Sequence, residues 1–461
     1  MSNLSNQPLS PLDGRYQSNV AALSLHLSEA GLNRARIRVE IEWLIHLANR
    51  NLLKTNAPLD LTEVEQLRAV VTNFSDDDVA ALAATEATTK HDVKAVEYFV
   101  RDKLAEIGRA DLSELTHFAC TSEDINNLSY ALTIRDSVNE VWLPRARLLV
   151  DKLSELSATY ADIAMLSRTH GQPATPTTMG KELAVFVFRL KRQISRIENA
   201  DYLAKFSGAT GTFSAHLVAA PTVDWMKESR DFVESLDLTW NPLTTQIESH
   251  DWQAELYSAI ALFNRILHNL CTDIWTYISL SFFKQIPQPG ATGSSTMPHK
   301  INPIRFENAE SNLELSNALL DSLASTLVTS RLQRDLTDSS SQRNIGVALG
   351  HSLLAIDNAT KGLGEIELNQ AVLDSDLSEN WEVLGEAIQT VIRAEVAAGK
   401  SSISDPYQLL KELTRGKRIG HDELVTFVNS LEISQEAKDR LLALKPHNYT
   451  GLAAELAKTF I

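Results

Sequence analysis

The stretch HDWQAELYSAIALFNRILHNLCTDIWTYISLSFFKQI (residues 250–286) decides the fold class, because its 37 residues include neither glycine nor proline. Apolar residues recur along it at spacings of three and four, at Leu256, Ile260, Phe263, Leu267, Leu270, Ile274 and Ile278. This period is typical of an α-helix that is buried along one side. A single helix over the whole stretch would be about 55 Å long at ~1.5 Å per residue.

Three other segments show a similar long helical pattern. One carries Leu183, Val187, Leu190, Ile194 and Ile197. The second runs from about 305 to 331, with Leu313, Leu320, Leu323 and Leu327 on its apolar side. The third runs from about 124 to 160, and we expect it to bend at Pro144. Helices of this length predict an extended bundle with coiled-coil-like packing. Identical subunits would cover its apolar stripes, and a monomeric bundle is the alternative.

The regions on either side contain shorter helical patterns. The C-terminal part has breaks at 401–406 and 445–447, and the N-terminal part begins irregularly at 10–16. We therefore predict an all-α protein with three helical domains. They are a small N-terminal domain (residues 1–112), a central long-helix bundle (113–365) and a small C-terminal domain (366–461).

Composition excludes several classes of function. A net charge of −16 argues against a nucleic-acid partner, because phosphate binding needs a basic surface. The sequence contains no uninterrupted run of 18 apolar residues, so we expect no membrane span, and we recognise no secretion signal at the N-terminus. Only two cysteines occur, Cys120 and Cys271, which suits a reducing cytoplasm and argues against a disulfide framework or a cysteine-based metal site. We expect a cytoplasmic protein.

Polar stretches interrupt the helical pattern at residues 88–93, 117–127, 167–178 and 293–303, with a weaker one at 244–251. Each is ambiguous alone. Ser122-Glu123-Asp124 resembles a helix N-cap, as Thr177-Thr178 does, and a lone His170 is more often structural than catalytic. In a bundle, however, polar stretches at helix ends can meet and supply His, Ser, Lys, Arg and Asn side chains to one cleft.

The stretch GSSTMPHKINP (293–303) resembles the signature of the fumarase/aspartase superfamily. The motifs PLDGRY (11–16), KHDV (90–93), TSEDINN (121–127), THGQPATP (169–176) and KELTRGKR (411–418) resemble the adenylosuccinate lyase family of the bacterial type. The resemblance runs from about Pro11 to the C-terminus. It implies an all-helical homotetramer whose active sites are shared between three subunits, with no metal and no organic cofactor. It also implies release of fumarate from two purine-synthesis substrates, adenylosuccinate (giving AMP) and the succinylaminoimidazole-carboxamide ribotide.

Such a β-elimination needs a base, an acid and groups that stabilise charge on a carboxylate. By matching position, the resemblance implies Ser294 as the base, acting as an alkoxide that Lys300 would stabilise. The residues alone do not separate Ser294 from its neighbour Ser295. His170 is implied as the acid that protonates the leaving nitrogen. His91 is the second candidate for that acid, and we expect it rather to bind the substrate phosphate.

The resemblance also implies a larger set of substrate-binding residues: Arg15, Tyr16, Lys90, His91, Asp92, Thr121, Ser122, Gln246, Ser295, Lys300, Ile301, Asn302, Asn308, Arg334, Ser339 and Arg343. Arginine offers a planar fork suited to carboxylate and phosphate, so these cations would make a basic pocket in an acidic protein. Surface ion pairing is the alternative for Arg15 and Arg343. Arg331 either belongs to the same set of cations or caps its helix. Rival functions are another fumarate-releasing lyase, or a non-catalytic helical protein that binds purine nucleotides.

Overall fold

The computed structural model describes residues 7–54, 58–288, 290, 297, 299–414 and 419–461. Its α-helices are α1 (Gln17–Leu27), α2 (Glu29–Asn49), α3 (Leu61–Thr72), α4 (Asp76–Thr89), α5 (Asp92–Glu106), α6 (Ser122–Asp136), α7 (Leu143–Thr159), α8 (Met179–Glu198), α9 (Ser214–Ala219), α10 (Trp225–Ser235), α11 (Asp251–Ser279), α12 (Ile304–Leu327), α13 (Thr337–Gln342), α14 (Ile345–Gly364), α15 (Gln370–Ser378), α16 (Gly385–Ala397), α17 (Pro406–Thr414), α18 (His421–Ser430), α19 (Gln435–Leu442) and α20 (Ala453–Thr459). Short 3₁₀ helices cover Ala110–Leu115, Trp381–Leu384 and Pro446–Asn448, and a π-helical turn covers Ser137–Trp142.

Within the described ranges, strands are few and short. They are β1 (Ala164–Thr169), β2 (Gln172–Thr178), β3 (Leu203–Ala204), β4 (Thr239–Trp240), β5 (Phe283–Gln285) and β6 (Ile366–Leu368). They form three two-stranded sheets, β1-β2, β3-β4 and β5-β6. The prediction of an all-α fold class is confirmed. Across the described ranges, no helix is both long and apolar enough to cross a membrane.

The longest helix is shorter than the sequence predicts. α11 has 29 residues and ends at Ser279, not near residue 286. Ser281 adopts a positive φ of 61°, which breaks the helix, and β5 then pairs antiparallel with β6. The apolar spacing continues through this change of structure, which is why the pattern did not reveal it. α12 (24 residues) lies within the predicted segment apart from its first residue, Ile304.

The predicted helix from about 124 to 160 is interrupted, but not by a simple proline bend. α6 passes into the π-helical turn Ser137–Trp142, and α7 begins at Leu143. The ring of Pro144 would clash with the carbonyl of residue 140 in a regular α-helix. Since residue 140 lies inside the π-helical turn, the irregularity falls where that clash would occur, and it precedes the proline.

The chain divides into two compact units. The first comprises residues 1–146, 193–265 and 311–356, and the second comprises 147–192, 266–310 and 357–461. In the first unit, Trp43 is almost fully buried, and its ring lies 4.4 Å from that of Phe206 and 4.9 Å from that of Phe232. Its indole N–H donates to the carbonyl of Phe118 at 3.1 Å, so this aromatic cluster also fixes the chain before residue 121.

A chain of buried polar side chains also links helices of the first unit. The Trp142 indole donates to Ser352 Oγ at 2.9 Å, and Ser352 Oγ donates to Asn264 Oδ1 at 2.8 Å. Asn264 Nδ2 donates in turn to Ser316 Oγ at 3.1 Å. All four side chains are fully buried. Because unpaired buried polar groups are costly, these bonds fix the register of α11, α12 and α14 against one another.

The second unit has its own apolar core in the C-terminal region. Leu384, Ile388, Ile392, Val428 and Leu441 are buried together there. A smaller cluster joins Leu166 of β1 to Leu377 of α15. This second cluster supports the strand that precedes His170.

Candidate functional site

Residues from two of the predicted polar stretches, 88–93 and 117–127, and from the 334–343 region line one cavity in the first unit. The cavity has a volume of about 450 Å³. Of the predicted binding residues it includes Lys90, His91, Asp92, Ser122, Arg334, Ser339 and Arg343. Its other lining residues, which sequence reasoning did not select, are Arg36, Glu86, Glu123, Asn126, Tyr130, Leu336 and Ser340.

Two helices begin at this cavity. α4 ends at Thr89, and its C-cap residue Lys90 reverses the chain with a φ of 55°. His91 then caps α5 by accepting the Lys94 N–H on Nδ1 at 3.2 Å. Thr121 caps α6 in a capping box with Asp124. Helix N-termini present unpaired N–H groups and a partial positive charge. Two of them at one cavity favour an anionic ligand.

Asp92 holds two guanidinium groups at the cavity. Its Oδ2 lies 2.9 Å from the buried Arg36 and 3.2 Å from Arg343, which also pairs with Glu29. Burial alone would raise the pKa of Asp92, but Arg36, the Val93 N–H and Arg343 together lower it. Asp92 therefore stays ionised and orients both arginines.

Arg36 was missed because it lies within α2, where no local pattern marks it. It donates through Nε to Asn126 Oδ1 at 2.9 Å, so it joins α2 to α6. Asn126 belongs to the polar stretch 117–127, and this was the one available signal. Nearby, burial raises the pKa of Tyr130 to about 12, so its hydroxyl remains a neutral donor.

Arg334 is the second organising cation. It lies 3.0 Å from Glu123 Oε1 and donates to Gln246 Oε1 at 3.4 Å and to Ser339 Oγ at 3.1 Å. Gln246 therefore belongs to the same network, although it does not line the cavity. Arg331 is 83% exposed and pairs with Asp335 at 3.4 Å. Its contacts are those of a surface residue.

The cavity is positive in an acidic protein. Four cationic side chains line it (Arg36, Lys90, Arg334 and Arg343) against three carboxylates, whereas the chain carries −16. Lys90 is exposed, and no carboxylate of the described ranges is paired with it. The basic residues are thus concentrated locally, which favours an anionic ligand.

Four predicted binding residues of the first unit do not line this cavity: Arg15, Tyr16, Thr121 and Gln246. Arg15 is exposed and lies over the ring of Tyr16, with 5.8 Å from its guanidinium carbon to the ring centroid. Thr121 is the N-cap of α6, directly before the lining residue Ser122.

His170 stands at the tip of a β-hairpin in the second unit. β1 and β2 pair antiparallel, with Thr169 opposite Gln172, so His170 and Gly171 form a two-residue turn. Their φ angles of 55° and 75° are both positive, as in type I′ turns. The side chain of His170 is exposed. Sequence reasoning predicted a polar stretch here and missed the hairpin.

An ion pair anchors this hairpin to α15. Arg168 lies 2.7 Å from each carboxylate oxygen of Asp376. Leu166 packs with Leu377 on the same pair of elements. The strand before His170 is therefore fixed by both apolar and charged contacts, and the turn residue projects beyond them.

Ser294 and Ser295 lie outside the described residues, as do the rest of 291–296, Pro298 and residues 415–418. Lys300 is exposed, and its backbone N–H donates to the Met297 carbonyl at 3.0 Å. Ile301 is 44% exposed, Asn302 is half-buried, and Asn308 lies on α12. Within the described ranges, no group of three or more His, Cys, Asp or Glu could hold a metal ion.

Comparison with known proteins identifies the family. The model of the family described as Lyase matches residues 14–314, and the model described as Adenylosuccinate lyase C-terminal matches 330–450. A solved structure of fumarate lyase from Mesorhizobium sp. BNC1 superposes with a TM-score of 0.74, at 17% identity, over 95% of this chain and 97% of the other. This likeness shows that the two chains share a fold.

Closer relatives cover almost the whole chain. Adenylosuccinate lyase from Escherichia coli (strain K12) is 49% identical over 446 residues, which are 96% of each chain. Adenylosuccinate lyase from Haemophilus influenzae is 48% identical over 451 residues, or 98% of each. The chain therefore belongs to the adenylosuccinate lyase family of the fumarase/aspartase superfamily. The membership predicted from the motifs is confirmed.

Proposed function

We propose that this chain is an adenylosuccinate lyase, which releases fumarate from adenylosuccinate to give AMP. We propose that it also acts on the succinylaminoimidazole-carboxamide ribotide. The observation that carries the proposal is the near-complete match to adenylosuccinate lyase of E. coli, at 49% identity over 96% of both chains. The positive cavity of the first unit supports it, because the substrates carry two carboxylates and a phosphate.

The reaction removes a proton from a carbon beside a carboxylate and breaks a C–N bond. Ser294 is the base in this proposal, and Lys300 stabilises its alkoxide. His170 gives a proton to the departing nitrogen, and its place on an anchored hairpin fits an acid that must be held in one position. Developing charge on the carboxylate requires fixed donors that need no reorganisation.

The first-unit cavity binds the anionic groups of the substrate. His91, at the N-terminus of α5, faces the phosphate, and Arg343 and Arg334 supply guanidinium groups that match carboxylate or phosphate. The N–H groups at the starts of α5 and α6 add to the positive potential. Arg15, Tyr16, Ile301, Asn302 and Asn308 complete the proposed set from other parts of the chain.

The enzyme is a homotetramer in this proposal, and three subunits contribute to each site. Large apolar side chains that are exposed on the long helices support association. Examples are Phe188 on α8 (48% exposed), Trp275 on α11 (42%) and Leu315 on α12 (50%). We also place the enzyme in the cytoplasm and retain the division into domains 1–112, 113–365 and 366–461.

The direct test is an assay with purified protein and adenylosuccinate. Ultraviolet absorbance should fall as fumarate and AMP form, and chromatography would identify both products. Ser294→Ala should abolish turnover, and His170→Asn should lower kcat by about 10²–10⁴. Binding without turnover by the wild type would instead indicate a nucleotide-binding protein. Absence of both would point to another fumarate-releasing substrate.

Mixing inactive variants tests the shared site. His170→Asn and Ser294→Ala proteins, unfolded together and refolded into mixed tetramers, should regain part of the wild-type activity. Restoration is expected because some sites would receive both intact residues from different subunits. Mixed tetramers that form and stay inactive would contradict the sharing, and each variant refolded alone is the control.

A further inference from the structure

Asp124 is a fully buried carboxylate with four donors around it. Its Oδ2 accepts the Thr121 N–H at 2.9 Å and the Gly208 N–H at 3.1 Å. Its Oδ1 accepts the Ser207 N–H at 2.9 Å and lies 2.8 Å from Lys205 Nζ. Neither Asp124 nor Lys205 exposes any side-chain surface. Asp124 thus ties the first turn of α6 to the segment 205–208.

The same segment is held a second time. Asn127, one turn further along α6, accepts the Lys205 N–H on Oδ1 at 2.9 Å and donates to the Lys205 carbonyl at 3.0 Å. Lys205 Nζ also donates to the carbonyl of Gly208 at 3.1 Å. These bonds hold the segment 205–208 against α6 at several points.

From this segment, hydrogen bonds lead to a cation of the cavity. The Ala209 carbonyl accepts Gln246 Nε2 at 2.9 Å, and Gln246 Oε1 accepts from Arg334 at 3.4 Å. Arg334 then contacts Glu123, the neighbour of Asp124 in the first turn of α6. The path therefore closes on itself through Arg334 of the cavity wall. Ser122, another lining residue, lies between Thr121 and Glu123 in the same turn of α6.

A buried ion pair is poor evidence for stability, since an apolar pair of similar volume often stabilises a fold as well. The ion pair instead fixes geometry, because a carboxylate that accepts from four donors holds all four in defined positions. We propose that Asp124 and Lys205 are positioning residues, which hold Ser122 and Arg334 in place to bind the anionic groups of the substrate. This inference rests on the proposed function.

The test is the double variant Asp124→Asn/Lys205→Met, which removes both charges together and leaves neither ion unpaired. Asparagine offers one acceptor oxygen to the remaining backbone donors, so the loop loses its fixed geometry. KM for adenylosuccinate should rise at least about tenfold. The value of kcat should stay within about threefold, because His170 and Ser294 are untouched. The Kd for AMP, measured by calorimetry, should rise in parallel with KM.

Two further variants keep the inference falsifiable. Asn127→Ala keeps the ion pair but frees the Lys205 backbone, and KM should rise by about threefold or more if position is what matters. Leu67→Ala, at a fully buried position of α3, is the control: it lowers the melting temperature and should leave KM unchanged. If the double variant fails to fold, the KM of Asn127→Ala decides whether the inference holds.

A folded double variant with wild-type KM and Kd would overturn the inference. An equal rise of KM in Leu67→Ala would also overturn it, because general destabilisation would then explain the effect. A wild-type protein that neither binds AMP nor turns over substrate would instead refute the proposed function. The two failures are therefore distinct.

Discussion

The pairing of Asp92 with Arg36 allows a quantitative prediction for Asp92→Asn. Arg36 is 2% exposed, and Asp92 is the carboxylate 2.9 Å from it. Loss of one partner of a buried pair costs about 3–5 kcal/mol, because the other charge remains buried. Asp92 is 29% exposed, and asparagine keeps one acceptor oxygen. We therefore expect the low end of that range, a decrease of about 3 kcal/mol in the free energy of unfolding.

The effect should depend on pH in a defined direction. The pKa of Asp92 is lowered in the folded state, since Arg36, the Val93 N–H and Arg343 outweigh the effect of burial. Its stabilisation is therefore complete above the unfolded-state pKa of about 3.9 and is lost as pH falls through the lower folded value. The difference between wild type and Asp92→Asn should be constant between about pH 5 and 8 and should shrink below about pH 4.

Urea denaturation, followed by tryptophan fluorescence, would measure both effects. Glu42→Gln is the matched control, because Glu42 pairs at 2.7 Å with an Arg68 that is 55% exposed. That change should cost no more than about 1 kcal/mol. Equal unfolding free energies for Asp92→Asn and wild type at pH 7 would refute the reasoning. KM should rise as well, since Arg343 loses a partner at the cavity.

Three further predictions concern the hairpin, a buried histidine and a close backbone approach. Arg168→Met should lower kcat by roughly tenfold to a hundredfold with little change in KM, because the strand that carries His170 loses its ion pair with Asp376. Steady-state kinetics would measure both constants, and an unchanged kcat would show that this ion pair is unimportant. Burial lowers the pKa of His216, and neither ring nitrogen has a hydrogen-bond partner in the described ranges. The folded chain therefore keeps His216 neutral at pH values where the unfolded chain protonates it, so the free energy of unfolding should fall below about pH 6.5 by up to about 1.4 kcal/mol per pH unit. His216→Met should flatten this dependence in denaturation curves measured at several pH values, and an equal slope in both proteins would contradict the prediction. Gly211→Ala should lower the melting temperature by several degrees, because a Cβ there would lie 2.3 Å from the Thr244 carbonyl oxygen at a φ of +75°; calorimetry showing an unaltered melting temperature would exclude that clash.

The sequence predicts the long helices well and their ends poorly. Apolar spacing indicates α8, α11 and α12, because each buries one stripe. It does not reveal the end of α11, since Phe282, Phe283 and Ile286 continue the apolar run into a strand. A short apolar run fits a strand or a helix equally, and the pairing of β5 with β6 depends on a segment some 80 residues away.

The site divides in the same way. His91, Asp92 and Ser122 occupy helix starts and Lys90 caps the end of α4, and local capping chemistry makes such positions visible in the sequence. Arg36 and Tyr130 were not predicted, because their place at the cavity depends on the packing of α2 against α6. The hairpin that carries His170 was missed for a local reason: its strands contain Pro173 and Pro176, which argue against a strand.

At the turn of the hairpin, the residue that the proposed reaction needs is not the residue that would stabilise the fold most. A left-handed backbone costs a residue with a Cβ about 1–2 kcal/mol, and asparagine or glycine adopts it more readily than histidine. His170 holds this conformation with a φ of 55°. The imidazole is thus kept in place against the preference of its own backbone. Selection of variants for thermal stability alone should therefore favour Asn or Gly at position 170. Such variants would be more thermostable but would lack the imidazole of the proposed acid.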